Sequence, residues 1–233
     1  MLNGSSTMSK PIILKVNPEK PDIEKIREAA MIVKSGGIIV YPTDTVYGLG
    51  ATPLNEKAVL RVFRVKERDL SKPLPVLIST LEEGFKLGIF NSRALKLARK
   101  FWPGPLTIIV RKKKHVPSIV TGGKEGIGLR IPNYEVTLKL IELCGGAIIG
   151  TSANKSGFKA AKSAEEALRI LNGKVDLILD AGPSPGGVPS TIVDVTGDMV
   201  KIIRIGPIMP DEIEKALGEP VEVIPKPPRV KGK

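Results

Sequence analysis

Three cations, Lys66, Arg68 and Lys72, fall within seven positions in RVKERDLSKPLPVLIST (64–80), directly ahead of the apolar run Leu74–Ile78. Such a cluster is either a solvated helix end or one wall of a site for an anion. Lys66 is a compact cation suited to phosphate oxygens, and Arg68 offers a planar fork to phosphate or carboxylate. YPTDTVYGLG (41–50) adds Thr43, Asp44 and Thr45, with glycines that let backbone approach a ligand. GTSANKSG (150–157) sets Thr151, Ser152 and Asn154 just past an apolar strand, where ligands favour the crevice of an open α/β sheet. Ser152 and Asn154 suit donation to phosphate or orientation of a metal-bound water. GVPSTIVDV (187–195) similarly places Ser190 and Thr191 at a strand mouth. Arg130 in GLRIP and Arg204 in IIRIG are charges among aliphatics, costly to bury unless an anion pairs with them. Each segment alone also fits an ordinary polar turn.

The usual nucleotide signatures are missing. Neither G-x-x-x-x-G-K-[ST] nor G-x-G-x-x-G occurs. His115 lies among lysines in RKKKHVP and reads as solvated, while Cys144 follows Leu140 and Ile141 and reads as core packing. One histidine and one cysteine argue against a conventional zinc site.

In this combination and order the segments resemble the YrdC-type domain of the threonylcarbamoyl-AMP synthase family. The resemblance rests on Pro42–Leu49 (PTDTVYGL), Lys66/Arg68 as K-x-R, Trp102–Thr107 (WPGPLT), Ser152/Asn154 as S-x-N, and Ser190–Ile192 (STI), and extends from about Ile12 to Leu217. Asp69 departs from the proline often found after K-x-R. The resemblance implies a synthase making threonylcarbamoyl-AMP and pyrophosphate from L-threonine, bicarbonate and ATP, for threonylcarbamoyladenosine modification of tRNA by a downstream transfer complex. It further implies catalytic roles for Lys66, Arg68, Ser152 and Asn154, ATP contacts from these four with Thr121 and Arg204, and an L-threonine pocket of Thr43, Arg130, Thr151 and Ser190. Mg²⁺ is expected with ATP; no carboxylate cluster identifies ligands for it, and Asp44 is only a candidate. Larger family members carry an additional C-terminal domain, and a short form without it is expected.

The elements that must position these groups alternate. IILKV, IIVY, LPVLIS, LTIIV, IGLRIP, AIIGTSAN, VDLILD, STIVDV and MVKIIRI read as strands, with PTDTVYGLG as a loop. Ile23, Ile26, Ala30 and Val33 recur at helical spacing, ended by Gly36-Gly37. Asn55, Thr80 with Glu83, Ser92, and Ser163 with Glu166 mark further helix starts, and Asp211–Leu217 reads as a last helix. The expected fold is α/β: a single domain over 11–219 on one large twisted mixed sheet with flanking helices and a concave ligand-binding face. Residues 1–10 read as a flexible or expression-derived lead-in, and 220–233 as a basic, proline-rich tail.

A chain of 233 residues suits one sizeable domain. No apolar run approaches a membrane span, and the start lacks a signal-peptide core, so a cytoplasmic protein is expected. A lone cysteine excludes an internal disulfide and fits a reducing compartment. The absence of glutamine beside abundant Lys, Glu and Pro points toward a heat-loving source. The formal charge of +12 favours anionic partners and leaves open weak tRNA or RNA contact through a basic surface. An RNA-binding module without catalysis is the rival reading, although aromatic residues at 4% leave few stacking platforms. A carbamoyl-transfer relative with another acceptor is a second rival.

Overall fold

The computed structural model describes residues 10–171 and 173–225. Strand β1 (Ile12–Lys15) leads into α1 (Ile23–Lys34), whose first turn is capped by the Asp22 carboxylate accepting from the Glu24 and Lys25 amides. Ile26, Ala30 and Val33 are buried as the spacing predicts, joined by Ala29, while Ile23 at the helix start is exposed. β2 (Ile39–Tyr41) and β3 (Gly48–Gly50) follow, then α2 (Glu56–Lys66), capped by Asn55 as expected. β4 (Val76–Ile78), α3 (Leu81–Leu87), β5 (Gly88–Ile89) and α4 (Ser92–Phe101) come next. α4 starts at Ser92 as expected, capped by Asn91, whose side chain accepts from the Ala94 amide. β6 (Leu106–Lys112), β7 (Gly126–Arg130), α5 (Glu135–Leu143), β8 (Ala147–Ile149) and β9 (Thr151–Ser152) build the middle of the chain. The last elements are α6 (Ala164–Leu171), β10 (Leu177–Asp180), β11 (Thr191–Asp194), β12 (Lys201–Arg204), α7 (Pro210–Leu217) and β13 (Glu222–Val223).

The α/β class with mixed pairing and flanking helices stands, with the strands shared between two sheets where the sequence suggests one. The first runs β1-β10-β2-β3-β9; the second runs β13-β12-β11-β6-β7-β4-β8, with β5 also on β6. The two meet where β8 passes into β9 through Gly150. Its amide donates to Pro75 O at 2.8 Å, and the Ile149 amide reaches Ala51 O at 2.8 Å, so backbone bonds continue across the junction. A Cβ on Gly150 would lie 2.4 Å from Leu77 Cγ, so only glycine fits this crossing.

Alternation along the strands feeds two cores. Ile38, Val40 and Ile178 join the larger one, packed with Phe63 of α2, Leu97 of α4 and Ile213 of α7. Their neighbours Ile39, Tyr41, Leu177 and Leu179 face the smaller one beneath α1 and α5. Both faces of the first sheet are therefore covered at β2 and β10, which is why IIVY and LIL read as unbroken apolar runs.

β3 corrects the loop expected for PTDTVYGLG. Glycine weakens strand propensity, but here the Tyr41 ring lies across Gly48 and Gly50: added Cβ atoms would sit 2.8 and 2.6 Å from it. The pairing of Glu222–Val223 with β12 carries the second sheet past residue 219, where the compact part was expected to end. The lead-in, save Lys10, and the tail from 226 lie outside the described residues. No helix among the described residues is long and apolar enough to cross a membrane.

Candidate functional site: a cationic cavity where the sheets meet

Strands from both sheets end at one cavity. Tyr41 and Thr43 reach it from the end of β2, Leu77 from β4, Arg130 from β7, Thr151 and Ser152 from β9, and Arg204 from β12. Arg68, just past α2, and Ser190, just before β11, complete its wall. Seven of the ten expected site residues thus share one cavity: Thr43, Arg68, Arg130, Thr151, Ser152, Ser190 and Arg204.

Arg130 is 5% exposed, and its fork is held from three directions. Nε donates to Gly104 O at 2.9 Å, Nη1 to Thr45 Oγ1 at 3.0 Å, and Nη2 pairs with the Asp44 carboxylate. A guanidinium has five N–H donors, so two remain unengaged. Burial pushes its pKa down, and Asp44 works in the opposite direction. That pairing answers how a cation is tolerated inside GLRIP. It also gives Asp44, the candidate metal ligand, a different partner.

Arg204 donates through Nε to Ser190 O at 2.8 Å and through Nη2 to Ser190 Oγ at 3.2 Å, while Ser190 Oγ lies 2.8 Å from Thr107 Oγ1. Its pKa is pushed down to about 10 by burial first, then by Arg130 and Arg68. Arg130 and Arg68 are thus both close enough to act on Arg204 electrostatically. Arg68 donates to Lys72 O at 3.3 Å and Pro73 O at 2.8 Å, which orients it on the 69–73 loop. Asp44 is the one carboxylate ion-paired with any of the three among the described residues.

Thr43 uses its hydroxyl locally, accepting from the Thr45 and Val46 amides at 3.1 and 3.2 Å and donating to Val46 O at 2.7 Å. It thereby fixes the turn that carries Asp44 and Thr45. Glycines of the 182–190 loop brace this turn, since Gly186 N donates to Asp44 O at 3.0 Å and a Cβ there would fall 2.5 Å from that oxygen.

Lys66, Asn154 and Thr121, all three expected to contact ATP, do not line this cavity. Lys66 is 1% exposed, and its ammonium donates to Ser152 O, to Asn154 O at 2.8 Å and to Asn154 Oδ1 at 3.3 Å. All three donors are engaged. Burial, then the neighbouring Arg68, pushes its pKa down to about 7. Asn154 Oδ1 also accepts from Ser152 Oγ at 2.5 Å, and Nδ2 donates to Lys155 O and Phe158 O at 2.8 and 2.9 Å. These two side chains frame the loop that presents Ser152. Thr121 is fully buried and donates to Ser118 O at 3.2 Å. Its neighbour Gly122 packs on Ser71 O, so this turn lies against the 69–73 loop that holds Arg68.

Thr45 and Thr107 hold Arg130 and Ser190 respectively, and neither is among the expected ligand contacts. Both stand inside quoted motifs, PTDT and WPGPLT, where position alone did not separate structural from site threonines. Among the described residues no three His, Cys, Asp or Glu side chains gather as a metal cluster. His115 is exposed, and burial pushes the Cys144 thiol up to about 12, so neither offers an activated nucleophile.

The profile of a family described as Sua5, YciO and YrdC, telomere recombination, matches residues 31–206. The chain is 40% identical over 209 residues to the threonylcarbamoyl-AMP synthase of Pyrococcus abyssi, covering 89% of this chain and 61% of that protein. It is 35% identical over 201 residues to the threonylcarbamoyl-AMP synthase of Bacillus subtilis, covering 85% of this chain and 58% of that protein. The crystal structure of P. abyssi Sua5 complexed with L-threonine superposes with a TM-score of 0.88 at 40% identity, over 92% of this chain and 63% of the other. The chain thus spans about three fifths of the length of these relatives.

Proposed function

The chain belongs to the Sua5/YciO/YrdC family, and on that premise we propose that it joins L-threonine, bicarbonate and ATP into threonylcarbamoyl-AMP and pyrophosphate. The product would supply the threonylcarbamoyl group that a separate transfer complex places on an adenosine of tRNA. One observation carries this reading: Arg68, Arg130 and Arg204 converge on a cavity lined by no carboxylate among the described residues, and only Asp44, paired with Arg130, offsets any of them. Such a site is short of negative charge, and a triphosphate together with an amino-acid carboxylate supplies it.

The chemistry asks little covalent help of the protein. Threonine amine and bicarbonate give the carbamate and water; a carbamate oxygen then attacks Pα of ATP, and the bond from Pα to the bridging oxygen breaks to release pyrophosphate. The two unengaged N–H groups of Arg130 suit the threonine carboxylate, with Thr43, Thr151 and Ser190 around the amino acid. Arg68 and Arg204 suit the phosphates, with Ser152 as a neutral donor. Lys66 and Asn154 serve by holding the Ser152 loop, and Thr121 by backing the Arg68 loop. Mg²⁺ enters with ATP as part of the nucleotide substrate. The charge of +12 supports weak RNA contact, and the free Cys144 suits a reducing cytoplasm.

The test is pyrophosphate release from ATP and Mg²⁺, with threonine and bicarbonate added singly and together. Release is expected only with both. Serine lacks only the methyl group, so it should be poorer by roughly tenfold or more. Release independent of threonine overturns the proposal. A response to carbamoyl phosphate that ignores threonine would mark a carbamoyl-transfer relative, and RNA binding without any release a non-catalytic module.

A further inference from the structure

Glu67 stands between Lys66 and Arg68 in the left-handed backbone region, at φ 50 and ψ 47, and is the only non-glycine residue with positive φ among those described. That conformation is unfavourable for a residue with a Cβ and persists where surroundings enforce it. Here it ends α2 and reverses the chain, so that the Lys66 ammonium enters the 152–154 loop while Arg68 meets the cavity.

The same turn grips the loop from outside. Lys66 O accepts from the Ser156 amide at 2.8 Å, and Lys155 Nζ pairs with the Glu67 carboxylate at 2.7 Å. Lys155 holds the Glu67 carboxyl below the usual range, as a formed pair must. Lys155 opens a tight turn, Phe158 N to Lys155 O at 3.1 Å, whose Phe158 carbonyl is held by Asn154. Backbone and side chain thus lock the end of α2, which carries Arg68, to the loop that carries Ser152.

We propose that Glu67 and Lys155 are positioning residues: their ion pair fixes the spacing between Arg68 and Ser152 across the cavity mouth without either touching substrate. This rests on the function proposed above. Its effect falls on the catalysed step more than on affinity, because misplaced groups cost orientation rather than contact.

The pair is solvent-exposed, so its loss should lower kcat by about two- to fivefold, the range an exposed pair supplies. Lys155→Ala and Glu67→Gly should show this drop with KM for ATP nearly unchanged, glycine keeping the left-handed turn while removing the carboxylate. The charge swap, Glu67→Lys with Lys155→Glu, should restore most of the activity, and the defect of the single variants should fade in high salt. Hydrogen exchange of the 152–158 amides should quicken in both single variants and slow again in the swap. Single variants with unchanged kcat and exchange, or a swap as impaired as the singles, would overturn the proposal. If the wild-type chain releases no pyrophosphate, the proposed function fails on its own, and the exchange experiment still decides whether the pair holds the loop.

Discussion

Asp44 and Arg130 form an ion pair at the cavity that leaves two of the five guanidinium donors unengaged. An arginine held this way is oriented before ligand arrives, which lowers the ordering cost of binding. Losing one charge-assisted contact costs about 1.5–3 kcal/mol, roughly ten- to more than a hundredfold in affinity. Arg130→Met should therefore weaken threonine binding by that factor and ATP binding far less. Calorimetric titration checks this, and an unchanged threonine affinity refutes the assignment.

Arg68 faces the cavity, whereas Lys113 stands in the exposed RKKKH run. Arg68→Ala should cut turnover by roughly ten- to a hundredfold, as loss of a charged contact to phosphate does. Lys113→Ala, which removes the same formal charge, should leave turnover within about twofold. Matched steady-state assays of the two folded variants decide it; equal activities would remove Arg68 from the phosphate site.

Lys66 makes stability depend on pH in a definite direction. Its pKa is about 7 when folded against 10.5 ordinarily. Below 7 both states carry the proton, and the cost of burying the ammonium is felt in full. Between the two values the unfolded chain binds more protons, so wild-type stability should rise with pH relative to Lys66→Met, which has nothing to titrate there. Urea unfolding of both proteins at about pH 6.5, 8 and 9.5 reads that difference. A difference that stays level would show the amine is not buried as described.

Gly50→Ala places a methyl 2.6 Å from the Tyr41 ring and 2.9 Å from Ile149 O, in the strand that borders the cavity. Overpacking of this kind costs about 1–3 kcal/mol, a loss of roughly 3–10 °C in Tm for a domain of this size. Gly197→Ala meets only Met199 O at 3.9 Å and needs no positive φ, so it should stay within about 0.5 kcal/mol. Thermal melts of the two variants separate steric conflict from a general glycine effect.

Local signals read well where they were chemically explicit. The Asn55 cap, the Ile26–Val33 stripe and the placement of Ser190 ahead of a strand all follow from residue type and spacing. β3 escaped because strand propensity disfavours glycine, and only the Tyr41 ring across both glycines makes it a strand. β5 and β13 are two residues each, too short to carry any period. The cavity wall was legible as a set of polar groups at strand ends. The direction of Lys66 was not, because the left-handed Glu67 that turns it toward Ser152 leaves no mark in the letters K-E-R. Nor could spacing reveal that Asp44, 86 residues before Arg130, is its partner.

The pairing of β1 with β10 couples Ile12 to Leu177. During synthesis the N-terminal strand must wait until its partner has been made. At about 5–20 residues per second, that delay is on the order of ten to thirty seconds. Ile12 and Ile13 spend it on an unpaired edge, the kind of segment that other nascent chains or chaperones engage. The β2–β3 hairpin-like pair closes early by comparison, since only the Thr43 turn separates its strands. The ribosome therefore releases the first sheet from its middle outward, and the strand made first is the last to find its place.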